Sequence, residues 1–278
     1  MKRVRSFALN KPSFSKKYLL IPSIIIFAIA LYFALHHEIS VSNTVNGREL
    51  PIYCVETDKP QIAITFDAAW GNEDTPRILE ILKKHNVKAT FFMTGGWVSK
   101  YPDDVKHIYA DGHDLGNHSE NHKNMSQLSD EECKEEILAV HEKVKELTGY
   151  EMFLFRPPYG DYDNHVITNS RAVGYYPIQW DVDSLDWKDY GANDIIKKVC
   201  DNKNLGNGSI ILCHNGAKYT ADALDTLITK LKDMGYEFVP LSELIYRDDY
   251  HLDVCGRQIK NDGSRRNTHT SDNSNNQQ

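Results

Sequence analysis

Residues Gln61 to His85 read QIAITFDAAWGNEDTPRILEILKKH: an apolar run ending at Asp67, a polar loop, then a helical pattern. Gln61–Phe66 is a short β-type run. Thr75 reads as a helix N-cap with Pro76 in the first turn, where a missing N–H is harmless, and the helix runs through His85. The strand–loop–helix unit repeats downstream. Lys88–Met93 is a second strand before a helix over Pro102–Ala110, and His113–Asn117 is a third. Ser129 and Glu132 form a capping box opening a helix that ends before Gly149, with Ile137, Val140, Val144 and Leu147 on one face. Strands follow at Met152–Phe155, Tyr176–Trp180, Ser209–Cys213 and Glu237–Val239, with helices at Asn164–Val173, Ala192–Cys200 and Ala221–Met234 and a closing turn at Ser242–Tyr246.

Seven apolar strands alternating with helices indicate an α/β fold with a parallel sheet covered on both faces. Seven units in about 200 residues favour a distorted (β/α)7-type barrel, with an open doubly wound sheet as the alternative. No glycine-rich phosphate loop follows a strand, so no nucleotide site is expected. The 278 residues carry 32 Lys and Arg against 39 Asp and Glu, a net charge of −7, which argues against a nucleic-acid partner.

Six of the basic residues lie before Tyr18, and no acid precedes Leu35. Residues 18–35 form an uncharged 18-residue stretch, long enough to cross a bilayer as one transmembrane helix. Its basic flank places residues 1–17 in the cytoplasm and the bulk of the chain outside, at the cell membrane; a cleaved signal peptide is the rival reading. Residues 36–57 read as a stalk, 58–246 as the folded domain, and 247–278 as a polar, disordered tail. Five cysteines leave at least one unpaired or paired between chains, and Cys54 with Cys255 is the pair considered for a disulfide.

Chemistry-bearing residues follow strand ends: Asp67 after the first, His118 and His122 after the third, Arg156 after the fourth, Asp183 and Asp186 after the fifth, His214 after the sixth. Loops from the C-terminal ends of barrel strands converge, so these residues point to one pocket. The i, i+4 spacing of His118 and His122 suits one divalent ion if they share a helical turn, and further ligands must come from elsewhere. Amide hydrolysis needs an activated water, stabilisation of a tetrahedral oxyanion and a proton for a poor leaving group. A carboxylate and a protonated imidazole supply base and acid.

The segments around Asp67, His118–His122, Arg156–Gly160, Asp183–Trp187 and Leu212–His214 resemble, in order, the five motifs of the polysaccharide deacetylase family (NodB homology domain, carbohydrate esterase family 4). The resemblance implies a distorted (β/α) barrel that removes acetyl groups from amino-sugar polymers, usually with a divalent metal such as zinc, cobalt or manganese. It implies Asp67 as general base, oriented and kept ionised by Arg156, and His118 and His122 as metal ligands. The Tyr159 amide would donate to the oxyanion, His214 would be the general acid held by Asp186 more than by Asp183, and Trp187 and Leu212 would line the acetyl pocket.

The usual first motif has a second aspartate after the base as a metal ligand; here that position is Ala68, similar to the sporulation-associated PdaB-like branch. Losing a charged ligand weakens divalent binding unless Glu73, Asp74, Asp67 or water replaces it. Three outcomes follow: a metal-dependent deacetylase, a metal-independent one, or a glycan-binding protein without turnover. The expected substrate is a cell-wall glycan, peptidoglycan first, with an O-acetyl esterase on the same scaffold as a further alternative. Trp70, Trp97, Tyr159 and Tyr162 are candidate sugar platforms.

Overall fold

The computed structural model describes residues 44–45 and 47–261. The apolar stretch 18–35 lies outside them; among the described residues no helix is long and apolar enough to cross a membrane.

In chain order the strands are β1 (Thr44–Val45), β2 (Arg48–Glu49), β3 (Cys54–Val55), β4 (Gln61–Ala68), β5 (Thr90–Met93), β6 (Asp114–Asn117) and β7 (Leu154–Phe155). They continue with β8 (Tyr176–Pro177), β9 (Val182–Asp183), β10 (Ile210–His214), β11 (Glu237–Phe238), β12 (Tyr250–Leu252) and β13 (Arg257–Lys260). The helices are α1 (Thr75–Lys84), α2 (Gly95–Lys100), α3 (Pro102–Ala110), α4 (Asp130–Thr148), α5 (Asn164–Ala172), α6 (Ala192–Cys200), α7 (Thr220–Asp233) and α8 (Leu241–Leu244).

The main sheet runs β8-β7-β6-β5-β4-β10-β9, with β11 beside the start of β4, and every pairing in it is parallel. Strands β8 and β9 stand at opposite ends of this order, yet only four residues separate them in sequence. One segment therefore reaches both edges, and the sheet is curled, a parallel half-barrel rather than an open, doubly wound plane. The single fifth strand expected over Tyr176–Trp180 is in fact these two short ones. Ile178 N still donates to Phe155 of β7 while Pro177 and Gln179 bond Ile52 on the other side, and Asp181 then bonds β10.

The two-residue period of β4 divides its side chains. Ile62, Ile64 and Phe66 pack in an outer cluster with Ile78 and Leu82 of α1, whereas Ala63 joins an inner cluster with Phe92, Leu154 and Ile210. Asp67, two and four residues beyond Thr65 and Ala63, belongs to the inner face. β10 lies beside β4 with His214 directly opposite Asp67. Strand register thus sets the prospective acid next to the prospective base.

Helix ends follow local chemistry. Ser129 and Glu132 make the reciprocal capping box of α4, and Gly149 ends the helix in the left-handed region at φ 74°. Helix α2 was not expected, because its first two residues are glycines; the Thr94 hydroxyl, accepting from Trp97 N, holds its start.

Three expectations change. The supposed stalk holds β1–β3, with Leu50, Ile52 and Val55 buried. The supposed tail holds β12 and β13, which form a three-stranded sheet with β3 and bury Tyr250, Leu252 and Gln258. Residues 262–278 lie outside the described residues. Cys54 and Cys255 are both free thiols rather than a disulfide, Cys54 buried and Cys255 exposed.

Candidate active site

Of the ten predicted site residues, all but Arg156 and Asp186 line one cavity of about 460 Å³ at the C-terminal ends of the strands. Arg156 and Asp186 sit behind it, fully buried, each gripping a residue that does line it.

Asp67 is 4% exposed. Arg156 Nη1 donates to its Oδ1 at 2.7 Å and to Thr65 Oγ1 at 2.8 Å, while Nη2 donates to the Gln179 carbonyl. The guanidinium lies 4.1 Å over the Phe92 ring. Burial alone would raise the Asp67 pKa, but Arg156, then His118 and His214, outweigh it and hold the carboxyl below its ordinary range. The carboxylate is thus ionised where a general base would have to accept a proton.

His118 donates from Nδ1 to the Arg156 carbonyl at 2.7 Å, leaving Nε2 as the unprotonated nitrogen, 3.6 Å from Asp67 Oδ2. Burial pushes its pKa down to about 4, and burial also lowers that of His122. The two rings lie 5.0 Å apart. They do not share a helical turn: Ser119 and His122 have φ of 65° and 53°. The Asn117 carboxamide accepts from Ser119 N and the Ser119 hydroxyl from His122 N, so polar side chains fold the loop that the spacing had suggested as helix.

His214 Nδ1 donates to Asp186 Oδ1 at 2.7 Å, and the His214 amide and the Thr220 hydroxyl donate to Asp186 Oδ2 at the same distance. Burial opposes the imidazolium, but the hydrogen bond and charge of Asp186 outweigh it and raise the His214 pKa. Asp183 does not hold His214; its Oδ1 accepts from Leu185 N. Leu212 is buried in the cavity wall, while Tyr159 and Trp187 are 69% and 54% exposed on its rim. Tyr159 takes φ 60° in the turn Pro158–Gly160, its ring 4.5 Å from His122.

Three supporting residues escaped the sequence reading. Thr220 opens α7 with nothing to mark it as a carboxylate partner, and Gln179 contributes only a carbonyl. Trp180, which lines the cavity, ends the expected fifth strand and could have been found by its position. Trp70, noted as a sugar platform, lies with its ring 6.0 Å from His122 and 5.9 Å from His214.

Among the described residues no three His, Cys, Asp or Glu side chains are arranged to hold a metal ion. Two neutral imidazoles, one oriented by a backbone carbonyl, nevertheless suit a divalent ion that accepts nitrogen ligands. Ala68, wholly buried at the end of β4, supplies no third ligand. The donor set fits a two-histidine site.

Residues 55–178 match the family described as polysaccharide deacetylase. The peptidoglycan-N-acetylglucosamine deacetylase PgdA of Listeria monocytogenes is 40% identical over 210 residues, 73% of this chain; the chain spans 44% of that relative's length. The peptidoglycan-N-acetylmuramic acid deacetylase PdaA of Bacillus subtilis is 33% identical over 208 residues, covering 72% of this chain and 77% of the relative. Among solved structures, a carbohydrate esterase family 4 pseudoenzyme from Bacillus anthracis aligns with TM-score 0.67 at 37% identity, covering 73% of this chain and 71% of that one. A mutant of that pseudoenzyme described as having restored enzymatic activity aligns with TM-score 0.68 at 38% identity, covering 71% of this chain and 72% of that one.

Proposed function

The chain belongs to the polysaccharide deacetylase family, a family of carbon–nitrogen hydrolases, and from that premise we propose that it removes N-acetyl groups from peptidoglycan. The observation that carries the proposal is the pairing across β4 and β10: an ionised Asp67 fixed by Arg156 faces an imidazole, His214, kept protonated by Asp186.

In the reaction, Asp67 takes a proton from water attacking the acetyl carbonyl. Arg156 keeps the carboxylate ionised and aimed, and so supports its action as a base near neutral pH. The Tyr159 amide donates to the oxygen on which negative charge develops. His214 gives its proton to the departing amine nitrogen, while Asp186 steadies the imidazolium until that transfer. Leu212 and Trp187 enclose the methyl group. His118 and His122 would hold a divalent ion, zinc best matching two imidazoles, which when bound polarises the carbonyl and lowers the pKa of bound water.

The exposed aromatic rim of Trp70, Tyr159 and Trp187 supports a saccharide ligand, whose ring faces stack on such side chains. The basic N-terminus followed by the apolar stretch 18–35 supports a single membrane anchor, with the domain on the outer side near the wall. A second reading rests on Ala68 and on the likeness to the pseudoenzyme: a glycan-binding protein without turnover.

Acetate release from peptidoglycan and from N-acetylglucosamine oligomers by the full chain, with chelator or with added zinc, tests the proposal. Zinc-restored release, lost in His118→Ala, is the expected result; no release under any condition from folded protein supports the second reading.

A further inference from the structure

A second cavity, of about 680 Å³, adjoins the catalytic one, with Trp180 and Asp183 lining both. Its far side comes from segments the sequence did not mark as structured: the start of β3, the loop carrying Asn202 to Asn204, and the turn into β13 with Arg257.

The charges in this cavity are unequally engaged. Asp181 Oδ1 accepts from Ile210 N at 2.8 Å and its Oδ2 from the Ser209 hydroxyl at 3.0 Å. Asp183 accepts from Leu185 N, with the Trp180 indole as a further donor. Both carboxylates are therefore occupied by protein N–H and O–H groups. Lys203 and Arg257 also line the cavity, and neither side chain makes an ion pair or hydrogen bond among the described residues, although Arg257 is near enough to Asp181 to act on it electrostatically. Neither cation is held by either carboxylate of the cavity, so both remain available to a ligand. Asn202 and Asn204 stand beside them, and the Asn204 amide is tied to the Asp181 carbonyl.

Resting on the deacetylase reading, we propose that this cavity binds a carboxylate carried by the sugar next to the one being deacetylated, through Lys203 and Arg257. A glycan whose reacting residue fills the catalytic cavity passes its neighbour across Trp180. A substituent on that neighbour then reaches the two cations. The ligand is thus a glycan bearing acidic side groups rather than a neutral homopolymer. In peptidoglycan such a carboxylate comes from the lactyl ether of muramic acid or from the peptide attached to it.

The test measures binding of three glycans of equal length to the full-length chain: a neutral N-acetylglucosamine oligomer, an alternating oligomer with muramic acid but no peptide, and the same oligomer with peptide. The readout is the ratio of acidic to neutral affinity at low salt. The wild type is expected to favour the acidic glycans by about tenfold, the size two charge-assisted contacts at a partly exposed site provide. Lys203→Gln with Arg257→Gln should bring the ratio close to one, and Lys203→Arg with Arg257→Lys should keep it. Preference already present without peptide assigns the lactyl group; preference appearing only with peptide assigns the peptide carboxylate. An unchanged ratio in the Gln variant, no preference in the wild type, or no binding of any acidic glycan overturns the inference. A preserved preference in a protein that releases no acetate would instead overturn the deacetylase reading and leave this cavity's role standing.

Discussion

Replacing Arg156 with Met should cost far more than one hydrogen bond. The guanidinium is fully buried and donates to Asp67, Thr65 and the Gln179 carbonyl. Its removal leaves the Asp67 carboxylate buried without its cation, a change that costs about 3–5 kcal/mol when a buried pair is broken. For a domain of this size that corresponds to a fall of about 6–20 °C in melting temperature. The pH dependence should also invert. In the wild type the Asp67 pKa is depressed, so its contribution to stability is present above the unfolded value of about 4 and lost as pH falls through the lower folded value. In Arg156→Met the carboxyl is left to burial, its pKa rises, and the deficit should shrink as pH is lowered through that raised value. Thermal and urea unfolding at pH 7 and pH 5 read both effects. The double variant Asp67→Asn with Arg156→Met should be more stable than Arg156→Met alone, since the stranded charge is gone. If instead the two losses simply add, Arg156 and Asp67 are not an interdependent pair, and the account of how the base is kept ionised fails.

Activity should fall on the alkaline side as His214 loses its proton, with that limb above the ordinary histidine value of about 6.5, because Asp186 outweighs burial in setting its pKa. Asp186→Asn should move the limb to lower pH and reduce kcat by about 10²–10⁴-fold, as a pH–rate profile would show. It should also remove stability that the wild type has below pH 6.5 and loses as pH rises through the folded His214 pKa. Ala68→Asp places a carboxylate at a wholly buried position, so the metal-free protein should melt lower and zinc should raise its melting temperature more than that of the wild type; equal zinc shifts would show that this position does not reach the ion. Ending the chain at Tyr246 rather than Asn261 removes buried Tyr250 and Leu252 and should cost about 3–6 kcal/mol in urea unfolding. No difference between the two chains would mean that β12 and β13 are dispensable to the domain.

Much of this was legible because the physics is local. The run before Asp67, the proline at the start of α1 and the capping box of α4 each declare an element within a few residues. Placing polar residues after strand ends was enough to bring Asp67, His118 and His214 into one cavity, since parallel strands deliver their C-termini to the same side. What was not legible depends on distant partners. β12 and β13 look polar, and only contact with β3 and the inner cluster makes Tyr250, Leu252 and Gln258 buried. The fifth strand looked continuous because the sequence does not show that Ile178 and Asp181 bond different neighbours. That Asp186 rather than Asp183 bonds His214 was also beyond local reading, since it depends on Leu185 at φ 53° turning the chain between them.

The most direct measurement compares acetate release from N-acetylated glycan by the full-length wild type and by Asp67→Asn, with glycan binding followed in parallel. The account predicts release by the wild type, loss of release by about 10²-fold or more in the variant, and binding retained in both. Equal release by the two proteins, or binding without release by the wild type, would contradict the assignment of Asp67 as the base of a working deacetylase.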